Sequence, residues 1–301
     1  MRTLVIGAGA VGGYFGGRLL EARQNVTFLV RPGRALQLAA NGLQIRSPFG
    51  DVALVSPPTV VAEDLVGTFD LILLSCKAYD LEDAIQALAP AVGPETAILP
   101  LLNGMRHLDR LDQEFGPRHV LGGRCLIAAT LNGQREIAHL NKGHTITFGE
   151  RDGTLSERVS AIDVMMQGAL FDHKASSHIM LDMWEKWTFL ATLAGATCLL
   201  RGSIGDICAA PGGCEFVLRL LEECRSIAAE AGFPPTSAAL DRARNMLTEA
   251  GSPLTASMLR DMESGAPIEA DHVIGDLLQR GESPLLRLVY SHLKVYEARR
   301  R

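Results

Sequence analysis

Short apolar runs recur through the first half of the chain, whereas long stretches of helical period fill the second. The runs predict strands over residues 4–7, 26–30, 71–75 and 97–102, with another beginning at residues 120–123. They lack the in–out alternation of a half-exposed strand, so they suit a parallel sheet covered on both faces. Helical stretches lie between them, residues 11–22 and 81–88 among them. Residues 42–46 and 52–55 read as a hairpin or strand pair around Ser47-Pro48-Phe49-Gly50. Beyond residue 131 two alternating segments, residues 136–140 and 144–148, predict an antiparallel pair that closes the sheet.

The second half carries almost no strand signal. Helices are predicted over residues 179–200, 213–231, 236–249, 269–279 and 284–299, several with caps at Gly232, Gly251 and Ser283-Pro284. The pattern changes near residue 175, which sets a domain boundary there. Residues 183–200 are apolar nearly all round, which requires central burial. Lys186 lies among them, with Met183 and Leu190 on its own face and Phe189 beside it. An ammonium there either snorkels to the surface or has a reason to be buried.

Residues 7–12, Gly-Ala-Gly-Ala-Val-Gly, join the first predicted strand to the first predicted helix. In that setting a G-x-G-x-x-G run is a dinucleotide fingerprint. Gly7 permits the tight turn, Gly9 lets a pyrophosphate approach the backbone, and Gly12 lets the helix pack closely on the sheet. The N–H groups of Ala10 and Val11, at the helix start, face the phosphates. The predicted fold class is therefore α/β: an N-terminal Rossmann-type parallel sheet (residues 1–175, dinucleotide-binding) followed by an all-helical C-terminal domain (residues 176–301).

With 301 residues, 47% of them hydrophobic and 21% charged, the chain can bury full cores in two domains. Its 29 basic and 34 acidic residues leave a net charge of −5, so no general attraction to nucleic acid or membrane is expected. Cys76, Cys125, Cys198, Cys208, Cys214 and Cys224 show neither C-x-x-C nor metal-ligand spacing. Reduced, mostly buried thiols and no metal site are expected. Arg2 before an apolar run imitates a signal peptide, but glycines at 7, 9, 12, 13, 16 and 17 interrupt it. The longest apolar run, residues 189–200, falls short of the ~20 residues of a membrane span. A soluble cytoplasmic protein is expected.

Ligands of open α/β sheets bind beyond the carboxyl ends of the strands. Arg31, Lys77 and Asn103 fall at such ends. An NAD site usually has an acid after the second strand; here Arg31 stands there, with Arg34 three residues later. A guanidinium suits a 2′-phosphate, which predicts NADPH over NADH. By spacing alone, Lys77 reads equally as a surface lysine and Asn103-Gly104 as a turn.

These pieces together resemble the ketopantoate reductases (2-dehydropantoate 2-reductases) over essentially the whole chain. The resemblance rests on Gly7-Ala-Gly-Ala-Val-Gly-Gly-Tyr14, Arg31, Ser75-Cys-Lys77-Ala and Leu102-Asn103-Gly104-Met105. In the helical half it rests on Trp184-Glu185-Lys186, Ser257-Met-Leu-Arg-Asp261 and Ile268-Glu269-Ala-Asp271. It implies NADPH-dependent reduction of a 2-oxo acid, with residues 1–175 as the NADP-binding domain and residues 176–301 as the substrate and catalytic domain. Lys186 would be the general acid on the carbonyl. Glu269 would anchor a substrate hydroxyl or keep Lys186 positioned. Ser257 would bond the substrate carboxylate and Asn103 would orient substrate and nicotinamide. Lys77 would lie near the cofactor ribose and the substrate.

Two departures stand out. Family members acting on ketopantoate have asparagines four and eight residues after the catalytic lysine, where this chain has Leu190 and Ala194. Without those amides the pocket suits a more apolar or differently shaped 2-oxo acid or ketone. The connection Arg280-Gly281-Glu282-Ser283-Pro284 is also short for the family, which should affect packing of the last helix more than the site. Two other readings stay open: another two-domain hydroxy-acid dehydrogenase, and a nucleotide-binding regulator without turnover. The apolar surplus of the helical half leaves room for a homodimer.

Overall fold

The computed structural model describes residues 1–300, which fall into two compact units. Residues 1–102 and 107–179 form the first; residues 103–106 and those from 180 onward form the second. Asn103, expected at a strand end of the first domain, thus groups with the helical unit.

The first unit runs β1 (Arg2–Ile6), α1 (Ala10–Glu21), β2 (Asn25–Leu29), α2 (Pro32–Asn41), β3 (Leu43–Arg46), β4 (Val52–Leu54) and β5 (Thr59–Val60). It continues with β6 (Phe69–Leu74), α3 (Leu81–Leu88), β7 (Val92–Pro100), α4 (Arg106–Phe115), β8 (Gly122–Leu131), β9 (Ile137–Gly149), α5 (Glu157–Met166) and β10 (Asp172–Ala175). One sheet is wholly parallel, in the order β5-β2-β1-β6-β7. Its central strand β1 is buried from Thr3 to Ile6, as an unalternating apolar run demands. Helix α1 packs against this sheet and the second one through glycines. A Cβ at Gly16 would press on Phe28, and one at Gly13 or Gly17 on Ile137 or Ile45.

The second sheet has the order β10-β9-β3-β4, with β8 added to β9. The expected β3–β4 hairpin is present and antiparallel. The expected pair at residues 136–140 and 144–148 is not: both belong to the single 13-residue strand β9. Its antiparallel partner is β8, and it lies in the second sheet rather than closing the first. Asn141-Lys142-Gly143 looks like a turn in sequence, yet the ladder absorbs it as a register shift near Ile127 and Ala129. There Asn141 Oδ1 accepts from the Ala128 amide at 3.0 Å.

The second unit holds α6 (Ile179–Leu200), α7 (Ile204–Ala209), α8 (Gly213–Glu230), α9 (Ser237–Leu247) and α10 (Ser257–Glu263), then a π-turn (Asp271–Gly275), α11 (Asp276–Arg280) and α12 (Pro284–Arg300). The predicted helix over 269–279 is thus divided into a wider turn and a short α-helix. Helix α6 is buried along most of its length, and Gly195 lets it approach Leu220 of α8 and Val289 of α12. The short connection before α12 is closed by Ser283, which bonds Glu223 of α8 and accepts from the Leu286 amide at 3.0 Å. No described helix is long and apolar enough to cross a membrane.

The cysteine expectation needs one correction. Cys208 and Cys214 form a disulfide, while Cys76, Cys125, Cys198 and Cys224 are free. The six-residue separation escapes a search for C-x-x-C. Pro211 and Gly212, the latter at φ +76°, turn the chain back between α7 and α8 and bring the two Cα atoms to 4.5 Å.

Candidate active site

In the first unit the glycine run forms the turn from β1 into α1. Gly7 takes φ +87°, and its amide donates to the Leu29 carbonyl at 2.8 Å, which ties the turn to β2. Gly9 is the N-cap of α1, with no side-chain cap and no acidic residue in the first turn. The first i→i−4 bond runs from the Gly13 amide to the Gly9 carbonyl at 2.9 Å. Ahead of it, the amides of Ala10, Val11 and Gly12 lie in the first turn, at the positive end of the helix dipole. A Cβ at Gly12 would overlap Ser75 Oγ and the Gly7 carbonyl, so only glycine allows this closeness. A Cβ at Gly9 would meet no heavy atom within 4 Å. Room above Gly9 and uncapped amides below it fit a pyrophosphate.

Arg31 follows β2 and is exposed; its guanidinium bonds Asp80 Oδ1 at 2.6 Å and approaches Asp83 at 3.6 Å. The bond to Asp80 raises its pKa further above the ordinary arginine value. Arg34, three residues on, has a different role. Its Nε and Nη2 both donate to the Ala8 carbonyl, at 3.1 and 2.7 Å, so it clamps the glycine turn from outside. Burial lowers its pKa, with Arg135 adding to the effect. Spacing gave no sign of this, because the carbonyl it serves lies 26 residues earlier. Lys77 is half-buried and caps the 3-10 turn after β6.

In the second unit Lys186 is half-buried on α6, with Leu190 half-buried and Ala194 buried on the same face. The adjacent Trp187 donates its indole Nε1–H to the Val273 carbonyl at 2.8 Å. That bond joins the Lys186 helix to the π-turn, which opens two residues after the buried Glu269. Asn103 and Gly104 lie against the same turn: a Cβ on Gly104, at φ +75°, would press on the His272 carbonyl and ring. Ser257 is exposed at the start of α10. The preceding Ala256 amide reaches Thr197 Oγ1 of α6 at 3.4 Å, eleven residues along from Lys186. Asn103, Lys186 and Glu269 are thus borne on elements that touch one another, and Ser257 sits farther along α6. Among the described residues no histidine, cysteine and carboxylate cluster suits a metal.

The model of ketopantoate reductase PanE/ApbA matches residues 3–153, and that of the ketopantoate reductase PanE/ApbA C-terminal region matches residues 178–297. The chain belongs to this family. It is an oxidoreductase by that membership. It is 37% identical over 303 residues to the uncharacterized oxidoreductase YkpB of Bacillus subtilis, covering 99% of each chain. It is 25% identical over 304 residues to a 2-dehydropantoate 2-reductase of Mesorhizobium japonicum, covering 93% of this chain and 91% of the relative. The crystal structure of 2-dehydropantoate 2-reductase from Methylococcus capsulatus superposes with TM-score 0.87 at 28% identity, over 100% of this chain and 98% of that one. A D-mandelate dehydrogenase shares the fold at TM-score 0.88 and 19% identity, over 100% and 99% of the two chains.

Proposed function

We propose that the chain reduces a 2-oxo acid, or a ketone of related shape, with NADPH as the hydride source. The observation that carries the reading is a half-buried lysine, Lys186, on a helix bonded through Trp187 to the turn that follows Glu269. A carbonyl accepts hydride only where the charge growing on its oxygen is met, and an ammonium held away from bulk water meets it. Lys186 Nζ donates to the carbonyl oxygen and gives up a proton as the alkoxide forms. Glu269 makes the partial burial of that cation tolerable and directs it, or anchors a substrate hydroxyl. Ser257 Oγ–H bonds the substrate carboxylate, and Asn103 orients substrate and nicotinamide.

Bound NADPH would supply the hydride to the carbonyl carbon. The residues to hold it are Gly7, Gly9, Ala10, Val11 and Gly12 at the phosphates, Arg31 at the 2′-phosphate, and Lys77 and Asn103 toward the ribose and nicotinamide. The preference for NADPH is supported by a guanidinium, not a carboxylate, directly after β2. The names of the relatives from Mesorhizobium japonicum and Methylococcus capsulatus support a substrate of the 2-dehydropantoate kind. Leu190 and Ala194 on the Lys186 face favour a more apolar member of that class, since unpaired polar groups of a ligand cost binding.

The reading extends to a cytoplasmic setting and a homodimer. Leu200, Leu218, Met246, Leu288 and Val295 are exposed apolar side chains of the helical unit that a second copy could cover. Sedimentation at micromolar concentration tests the dimer.

The function is tested by an NADPH-oxidation screen over 2-oxo acids and ketones, ketopantoate included, with wild type and Lys186→Ala. Turnover of an apolar 2-oxo acid that vanishes in the variant is expected. Cofactor binding without oxidation across the panel would overturn the reading in favour of a binding module. Faster oxidation of hydroxy acids with NAD would favour a different dehydrogenase. Ketopantoate turnover with kcat/KM in the ~10⁴–10⁸ M⁻¹s⁻¹ range of good substrates would remove the apolar preference.

A further inference from the structure

The π-turn holds a histidine, His272, that is 5% exposed and packs against Gly104, the neighbour of Asn103. Its ring bonds the Asn103 backbone. That bond favours the protonated ring, so the ring N–H donates and the Asn103 carbonyl accepts. Glu269, three residues earlier in the same segment, acts on it electrostatically. The turn has little freedom to shift. Trp187 of α6 holds the Val273 carbonyl, and Gly104 abuts the His272 carbonyl so closely that a Cβ would collide. Single π-turns inserted in helical segments often mark functional sites, and here the wider turn carries the histidine to the Asn103 backbone.

We propose that His272 is a positioning residue of this active site: it fixes the Asn103 backbone, and with it the direction of the Asn103 side chain, and its charge state sets how Glu269 is used. The proposal rests on the reading of Lys186, Glu269 and Asn103 given above. With a neutral ring, the Glu269 carboxylate is left to Lys186. With a protonated ring, the new cation draws Glu269 toward itself, and the acid–carboxylate arrangement loosens. Burial holds the imidazole below its ordinary range; Glu269 opposes that shift and Arg106, three residues after Asn103, adds to it. Of the elements packed against the turn, α12 brings Lys294, which with Tyr290 binds Asp271, and α6 carries Lys186 next to Trp187 in sequence. The imidazole is thus neutral at neutral pH, and its protonation lowers activity on the acid side.

The test compares wild type with His272→Phe, which keeps a buried ring without a donor, and His272→Gln, which restores an N–H. His272→Phe is expected to lower kcat about 10- to 100-fold, the scale of a small misplacement of a reacting group. NADPH affinity is expected to stay within about threefold, since the phosphate-binding turn is untouched. The acid limb of the kcat–pH profile should disappear, and His272→Gln should recover most of kcat but not that limb. Independently of turnover, the His272 ring resonance is assigned in wild type by its loss in His272→Gln. It should titrate below the ordinary imidazole range, and lower still in Glu269→Gln. Should His272→Phe not fold, the Gln variant and the wild-type titration decide the matter. A His272 titration that Glu269→Gln leaves unmoved overturns the proposal. So does a folded His272→Phe with kcat within about twofold of wild type when Lys186→Ala is inactive, because repositioning a reacting group costs far more. If Lys186→Ala retains its rate, the functional reading itself fails and takes this role with it.

Discussion

Trp187 donates its indole N–H to the Val273 carbonyl at 2.8 Å, and through that bond the helix bearing Lys186 is fastened to the turn beyond Glu269. Both groups are buried, so the bond is shielded from water. Trp187→Phe keeps most of the ring and removes only the donor. The buried carbonyl then loses a partner, which should cost about 1–3 kcal/mol of stability. Denaturant unfolding measures that loss, and kcat should fall more than the KM for NADPH rises, because the break lies on the side proposed for the substrate.

Arg31 is held by Asp80 before any phosphate can reach it. Arg31→Ala should weaken NADPH binding by about tenfold or more while barely changing NADH, the scale of a lost charge-assisted hydrogen bond. Asp80→Asn should act the other way and tighten NADPH, since it frees the guanidinium. Titration calorimetry with both cofactors measures each effect. Equal losses for NADPH and NADH in Arg31→Ala would refute the 2′-phosphate role.

Gly12→Ala would force a methyl against Ser75 Oγ and the Gly7 carbonyl. The hydroxyl can rotate but the carbonyl cannot leave the turn, so the strain stays where the phosphates should bind. A destabilisation of about 1–3 kcal/mol with a large loss of cofactor affinity is expected. Arg34→Ala, which unclamps the Ala8 carbonyl, should weaken the cofactor with less effect on melting temperature.

The Cys208–Cys214 bridge closes a short loop between α7 and α8. On the chain-entropy account a loop of this size contributes about 2 kcal/mol. Replacing both cysteines by serine should lower stability by that much and leave the cofactor site unaffected. Because such bridges are uncommon in reducing compartments, trapping the thiols in freshly lysed cells also tests the cytoplasmic assignment.

His144 of β9 accepts or donates a hydrogen bond with Tyr14 Oη at 2.8 Å and stacks on Phe49 at 3.9 Å. Burial lowers its pKa from the ordinary 6.5; Asp172 opposes the shift, and His139 and Arg18 add to it. The unfolded chain therefore takes up this proton at a higher pH than the folded protein. Its contribution to stability is full above about pH 6.5 and is lost as pH falls through the lower folded value. His144→Gln should flatten the acid side of the stability–pH curve, read from urea midpoints between pH 5 and 8 (about the span over which an imidazole titrates).

The sequence alone makes the α/β plan, the glycine turn and the long central helix legible, because each is written in local period and spacing. Apolar runs without alternation announce buried parallel strands; a glycine run between strand and helix announces its turn; an all-round apolar stretch announces a buried helix. It also supplied the residues of the candidate site, through motifs in order along the chain. What it could not supply were relations between residues far apart in sequence. Asn141-Lys142-Gly143 became a bulge rather than a turn only because β8 lay beside it. Arg34 serves Ala8, and Cys208 meets Cys214, through folding of the backbone and not through any recognised spacing. The π-turn that carries His272 to the Asn103 backbone is the clearest case. The apolar period predicts an ordinary helix there, whereas the fold has a wider turn, bonded by Trp187 and set against Gly104.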